Sequence, residues 1–209
     1  MTGPGPGSAV AERVGLFGGS FDPIHRGHVE LAAAALLDLE LDRVLFLPTA
    51  DPPHKRPRMA SALQRYCMVE LALLDHPRLQ VSAVELTPGR TAYTVETVER
   101  FRRELPAARL FLVIGADSFA ELDQWRRFED LVAQVELVVV TRPGFEQARA
   151  TPGQRLEAAL CGRSVHWLDR RIDVSSTELR RRLGRGESPG ADLLPPAVLQ
   201  FCAKYSLYR

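Results

Sequence analysis

The chain has 209 residues, 45% of them apolar, with 27 basic against 26 acidic residues and a formal charge of +1. That length suits one well-packed domain, since single cores mature at roughly 100–200 residues. The interspersed, nearly balanced charge excludes a polyelectrolyte that tracks a nucleic-acid backbone. No apolar stretch approaches the ~20 residues needed to cross a bilayer. Cys67, Cys161 and Cys202 are too scattered for a metal site or a disulfide framework. The expectation is a cytoplasmic protein with a small-molecule partner, and neither nucleic acid nor membrane.

Met1 to Glu12 is rich in Gly and Pro and lacks the charged start and apolar run of a secretory signal. It reads as a flexible leader, leaving residues 13–209 as a single domain. The first element is the apolar run Val14 to Phe17, too short for a helix and without alternation, as a strand buried on both faces would be. It runs into Gly18, Gly19, Ser20, Phe21, Asp22, Pro23, Ile24, His25, Arg26, Gly27 and His28. Glycines let the backbone approach a ligand, and the helix that follows offers N–H groups and a dipole worth roughly half a positive charge. His25 and His28 can both turn towards an anion held there. Two histidines also invite zinc, but no Cys, Asp or Glu completes a set nearby and Asp22 sits across a proline, so no metal site is expected.

Val29, Ala33, Leu36 and Leu37 give the first helix one apolar face. A second buried strand, Val44 to Leu47, leads into a rigid proline loop, Pro48 to Lys55, in which Lys55 either faces an anionic group or is simply solvated. Leu63, Cys67, Leu71 and Leu74 mark the next helix. Leu79, Val81 and Ala83 alternate as in a strand nearer a sheet edge. Arg90 to Thr94 then precede a helix carrying Val98, Phe101 and Leu105, with Thr94 placed to cap it and Tyr93 to pack.

Leu110 to Ile114 is the fourth strand, followed by Gly115, Ala116 and Asp117, whose carboxylate suits the hydroxyls of a ribose. Trp125 further on is either a stacking partner for a flat ring or a packed lid residue. Leu137 to Val140 is a fifth strand closed by Thr141 to Gly144, and Val165 to Leu168 a sixth. Asp173 to Arg180 reads as a helix start with capping-box spacing from Ser175 to Glu178. It presents Ser175, Ser176 and Thr177 to an anion, with Arg180 one turn along. Gly184 to Pro196 reads as a surface loop, and Ala197 to Tyr205 as a closing helix.

Strands alternating with helices give an α/β fold, a parallel sheet covered on both faces, with ligands at the carboxyl ends of its strands. The run Gly18 to His28 resembles the signature of the nucleotidyltransferase superfamily with a His-x-Gly-His motif. Its detail is similar to that of bacterial nicotinate-nucleotide adenylyltransferases, and the resemblance runs from Arg13 to the C-terminal end.

The resemblance implies a Rossmann-like doubly wound sheet. It also implies adenylyl transfer from ATP to nicotinic acid mononucleotide, with Mg²⁺ carried on the ATP and no covalent enzyme intermediate. By the same likeness His25, His28 and Arg180 are the catalytic groups, joined in ATP binding by Gly18, Gly19, Ser20, Phe21, Gly115, Asp117, Ser175, Ser176 and Thr177. Lys55, Tyr93, Thr94 and Trp125 are the acceptor contacts. The chain departs from the family in Ala92 before Tyr93, and in Arg126 after Trp125, where the family often has an aromatic or polar residue. The rival readings are an acceptor of nicotinamide mononucleotide or phosphopantetheine type, and a nucleotide-binding regulator without turnover.

Overall fold

The computed structural model describes residues 11–50, 60–87, 91–141, 153–170 and 174–209. Every expected strand forms: β1 (Arg13–Gly19), β2 (Arg43–Pro48), β3 (Leu79–Val81), β4 (Arg109–Gly115), β5 (Glu136–Thr141) and β6 (Val165–Asp169). All pair in parallel, in the order β3-β2-β1-β4-β5-β6. This is the order of a doubly wound Rossmann-like sheet, in which the chain first builds outward one way and then crosses back to continue on the other side of β1. The switch lies between β1 and β4, so the crevice outside their carboxyl ends is the default ligand site.

The apolar runs have no polar alternation because both faces of the sheet are covered. Phe17, Phe46, Phe111 and Val138 face α1 (Arg26–Asp38), α2 (Ala62–Leu73), α7 (Ser176–Gly184) and α8 (Pro196–Lys204). Leu16, Leu45, Leu112 and Val139 face α3 (Thr94–Glu104), α4 (Ala116–Ala120), α5 (Phe128–Val132) and α6 (Gln154–Leu160). Alternate residues of one strand thus feed two cores.

Three expectations need correction. The apolar faces assigned to α1 and α2 are displaced: Leu37, Leu63 and Leu74 are 70%, 69% and 68% exposed, while α2 buries Arg65, Met68, Val69, Ala72 and Leu73. The strand at Leu79 ends at Val81, with Ala83 exposed beyond it. The segment before α8 is not merely a surface loop, because Leu194 is fully buried and the Leu193 carbonyl accepts the Arg26 amide at 3.0 Å.

Candidate active site

The end of β1 builds the floor of the site. Nothing lies within 4 Å of where a Cβ on Gly18 would stand, so the backbone there is open to a ligand. Gly19 has a different reason: a Cβ would meet the Phe21 ring at 2.9 Å. Phe21 takes a positive φ of 47° and folds its ring back under the loop, against Phe17, Phe46 and His28. That ring is buried, so a ligand can meet Phe21 through the backbone only.

His25 and His28 stand at the N-cap and third position of α1, their rings stacked with centroids 3.7 Å apart. The His25 amide donates to His28 Nδ1 at 3.3 Å, which fixes His28 in the tautomer that carries its proton on Nε2. The helix start is less open than its sequence suggests. The Arg26 amide donates to Leu193 and the His28 amide to the His25 carbonyl, each at 3.0 Å.

The second motif docks directly on the first. Ser176 Oγ donates to the Pro23 carbonyl at 2.9 Å and Arg180 Nη1 to the Asp22 carbonyl at 2.6 Å, across 153 and 158 residues of chain. Arg180 Nη2 also donates to Thr177 Oγ1 at 3.1 Å, and Nη1 lies 3.8 Å from the Asp22 carboxylate. The guanidinium is thereby fixed beside the glycine loop, as a preorganised positive charge must be to serve an anion. Only half of the expected capping box forms. Ser175 Oγ accepts the Glu178 amide at 3.2 Å, but the Glu178 carboxylate turns to Arg181 and Arg182, whose hydrogen bonds hold its pKa down at about 2.

Three residues to which sequence reasoning assigned no bracing role hold this assembly together. Asp22 is fully buried, and its Oδ1 accepts the Tyr208 hydroxyl at 2.7 Å and the Ala60 amide at 3.1 Å. Burial and the adjacent carboxylate push the Tyr208 hydroxyl well above the ordinary tyrosine range. Arg65, 1% exposed, donates to the carbonyls of Ser20, Thr49 and Ala60, tying the ends of β1 and β2 together. In the sequence it looks like any charge on a helix surface.

At the carboxyl end of β4, Gly115 is the N-cap of α4 and Asp117 lies in its first turn, exposed, with its carboxylate folded over Gly115. Tyr93, Thr94 and Trp125 come together around a cavity of about 250 Å³, closed also by Ala92, Val95, Arg126 and Leu131. Thr94 is not the cap of α3 but its first residue. Tyr93 holds the cap position, with its ring under the Arg126 guanidinium. Trp125 is half-buried against the second core. In an adjoining pocket that shares Ala92 and Tyr93, Glu85 accepts the Thr97 hydroxyl at 2.8 Å, and burial pushes its carboxyl pKa up. Lys55, with Pro52, Pro53 and His54, lies outside the described residues, as do Arg90, Asp173 and Arg142 to Gly144. Among the described residues no three His, Cys, Asp or Glu side chains converge as metal ligands.

The glycine loop, the histidine pair and the docked helix start fall within a stretch, residues 16–182, that matches the model of the cytidylyltransferase-like family. The chain belongs to the cytidylyltransferase-like family. It is 39% identical over 209 aligned positions to a probable nicotinate-nucleotide adenylyltransferase of Cellvibrio japonicus, covering 94% of this chain and 98% of that one. It is 40% identical to a protein of the same description from Neisseria meningitidis serogroup B, over 95% and 99% of the two chains. In fold, this cytidylyltransferase-like chain resembles the Plasmodium falciparum nicotinic acid mononucleotide adenylyltransferase solved with NaAD. The TM-score is 0.74 at 16% identity, over 94% of this chain and 97% of that one.

Proposed function

We propose that this protein transfers the adenylyl group of MgATP to nicotinic acid mononucleotide, forming nicotinic acid adenine dinucleotide and pyrophosphate for NAD biosynthesis. The observation that carries the reading is the docking of Ser176 and Arg180 onto the Asp22–Pro23 turn. It puts the histidine pair and a fixed guanidinium at one end of β1. The names of relatives at 39–40% identity over nearly the whole chain support the same reaction.

In this reading the acceptor phosphate attacks the α-phosphorus of ATP in line. The bond from that phosphorus to the bridging oxygen breaks, and pyrophosphate departs with the electron pair. The chain supplies position and charge stabilisation rather than a nucleophile. His28 donates from Nε2, and Arg180 offsets charge on the departing phosphates. Gly18, Gly19, Ser20 and the Phe21 backbone border the triphosphate, with His25, Ser175, Ser176 and Thr177 around it. Gly115 and Asp117 take the nucleoside. Mg²⁺ enters as part of the MgATP substrate, held by phosphate oxygens and water, as suits an ion that dehydrates reluctantly.

Tyr93, Thr94 and Trp125 form the pocket for the pyridine ring, with Lys55 beyond it. Residues 13–209 act as one nucleotidyltransferase domain working in the cytoplasm on small molecules. Among the described residues no helix is long and apolar enough to cross a membrane. The test is pyrophosphate release and dinucleotide formation with ATP and Mg²⁺ on three acceptors in parallel. Turnover is expected with nicotinic acid mononucleotide, less with the nicotinamide form, and background with phosphopantetheine. A folded sample that forms no dinucleotide at millimolar substrates overturns the assignment.

A further inference from the structure

We infer that the side chain of Arg126 is a specificity-determining residue, reading the charge on the acceptor's ring substituent and favouring a carboxylate over a carboxamide. This rests on the adenylyltransferase reading above. Among the described residues that line the 250 Å³ cavity, Arg126 is the one whose side chain carries a charge. The remaining lining is aromatic, aliphatic or the hydroxyl of Thr94, which orients a ring without distinguishing an acid from an amide.

The guanidinium is not a loose surface cation. It lies over the Tyr93 ring at 4.3 Å from the centroid, and its Nη1 stands 3.2 Å from Glu96 Oε1. Stacking fixes the plane of the group and the ion pair fixes its rotation about that plane. A guanidinium has five N–H donors in a rigid fork. Glu96 engages one nitrogen and the Tyr93 ring one face, and no further partner of Arg126 is present among the described residues. The carboxylate of an acceptor seated against Tyr93 and Trp125 would meet a lining that includes this fork. A carboxamide would bring an NH₂ that a donor-only group cannot satisfy. At the adjacent start of α3 the Glu96 amide is taken by the Tyr93 carbonyl at 2.9 Å, and the amides of Thr94 and Val95 stand at the positive end of the helix dipole beside the guanidinium.

The experiment measures kcat/KM for nicotinic acid mononucleotide and for nicotinamide mononucleotide, at equal ATP and Mg²⁺, in the wild type, Arg126→Gln and Arg126→Lys. For a half-exposed pair with charge-assisted hydrogen bonds, Arg126→Gln is expected to lower the acid-to-amide ratio roughly three- to tenfold. Arg126→Lys should keep part of the ratio, because charge remains while the stacked fork is lost. Added KCl should shrink the wild-type ratio and leave that of Arg126→Gln nearly flat. A merely structural latch would lower both specificity constants together, and an unchanged ratio in Arg126→Gln overturns the inference while the adenylyltransferase reading stands. If the wild type makes dinucleotide with neither acceptor, that reading falls first and this inference with it. A wild type that prefers the amide also overturns it.

Discussion

The role proposed for His28 depends on one hydrogen bond. With Nδ1 accepting the His25 amide, the ring presents Nε2–H outward, and the stacked His25 ring keeps it from turning. Alanine at this position removes that donor and leaves the backbone turn in place. Turnover of His28→Ala should fall by roughly two to three orders of magnitude, the scale for one preorganised charge-stabilising donor. Thermal unfolding should move little, because the ring is only half-buried. Near-normal turnover would return the histidine pair to a packing role. Arg180→Ala should act chiefly on the response to ATP. An unchanged ATP response would detach α7 from the site.

At the scale of elements, legibility depended on how many faces a segment buries. The strands announced themselves because a segment covered on both sides has no polar positions, and β2 is buried from Val44 to Pro48 without a break. Helix α2 was harder, since it carries two apolar stripes. Leu63, Cys67, Leu71 and Leu74 are spaced like a core face, but so are Met68, Val69, Ala72 and Leu73, and the second set is the buried one. What decides between them is Arg65, whose three carbonyl partners lie on loops after β1 and β2 and in front of α2. Spacing cannot reveal distant carbonyls. Met68→Ala should therefore cost about 2–5 kcal/mol, as truncating a buried large apolar side chain does. Leu74→Ala should stay within about 0.5 kcal/mol, like most surface changes. Urea unfolding of the two variants measures this, and the reverse order would mean that α2 packs by its other face. In the same way the glycine loop and the Ser175–Arg180 helix start were readable as local patterns. The braces Asp22 and Tyr208 were not, because nothing local links residues 186 positions apart.

The whole molecule is a sheet whose first loop is finished by its last helices. Tyr208→Phe deletes the hydroxyl that Asp22 Oδ1 accepts and leaves a buried carboxylate short of one donor. A loss of about 1–3 kcal/mol in stability is expected. Turnover should fall as well, since Asp22 is in the turn that seats Arg180 and Ser176. Full stability and activity in this variant would show that the brace is ornamental. The same contact sets a schedule for the ribosome. The strand that holds the glycine loop is made before the rest of the sheet, whereas Ser176, Arg180 and Tyr208 are translated after all six strands. A nascent chain can therefore pair β1 with β2 and β4 long before it can hold a triphosphate. Polypeptides that stop between β6 and Ser176 would carry the whole sheet and an unbraced site, and so would not commit ATP.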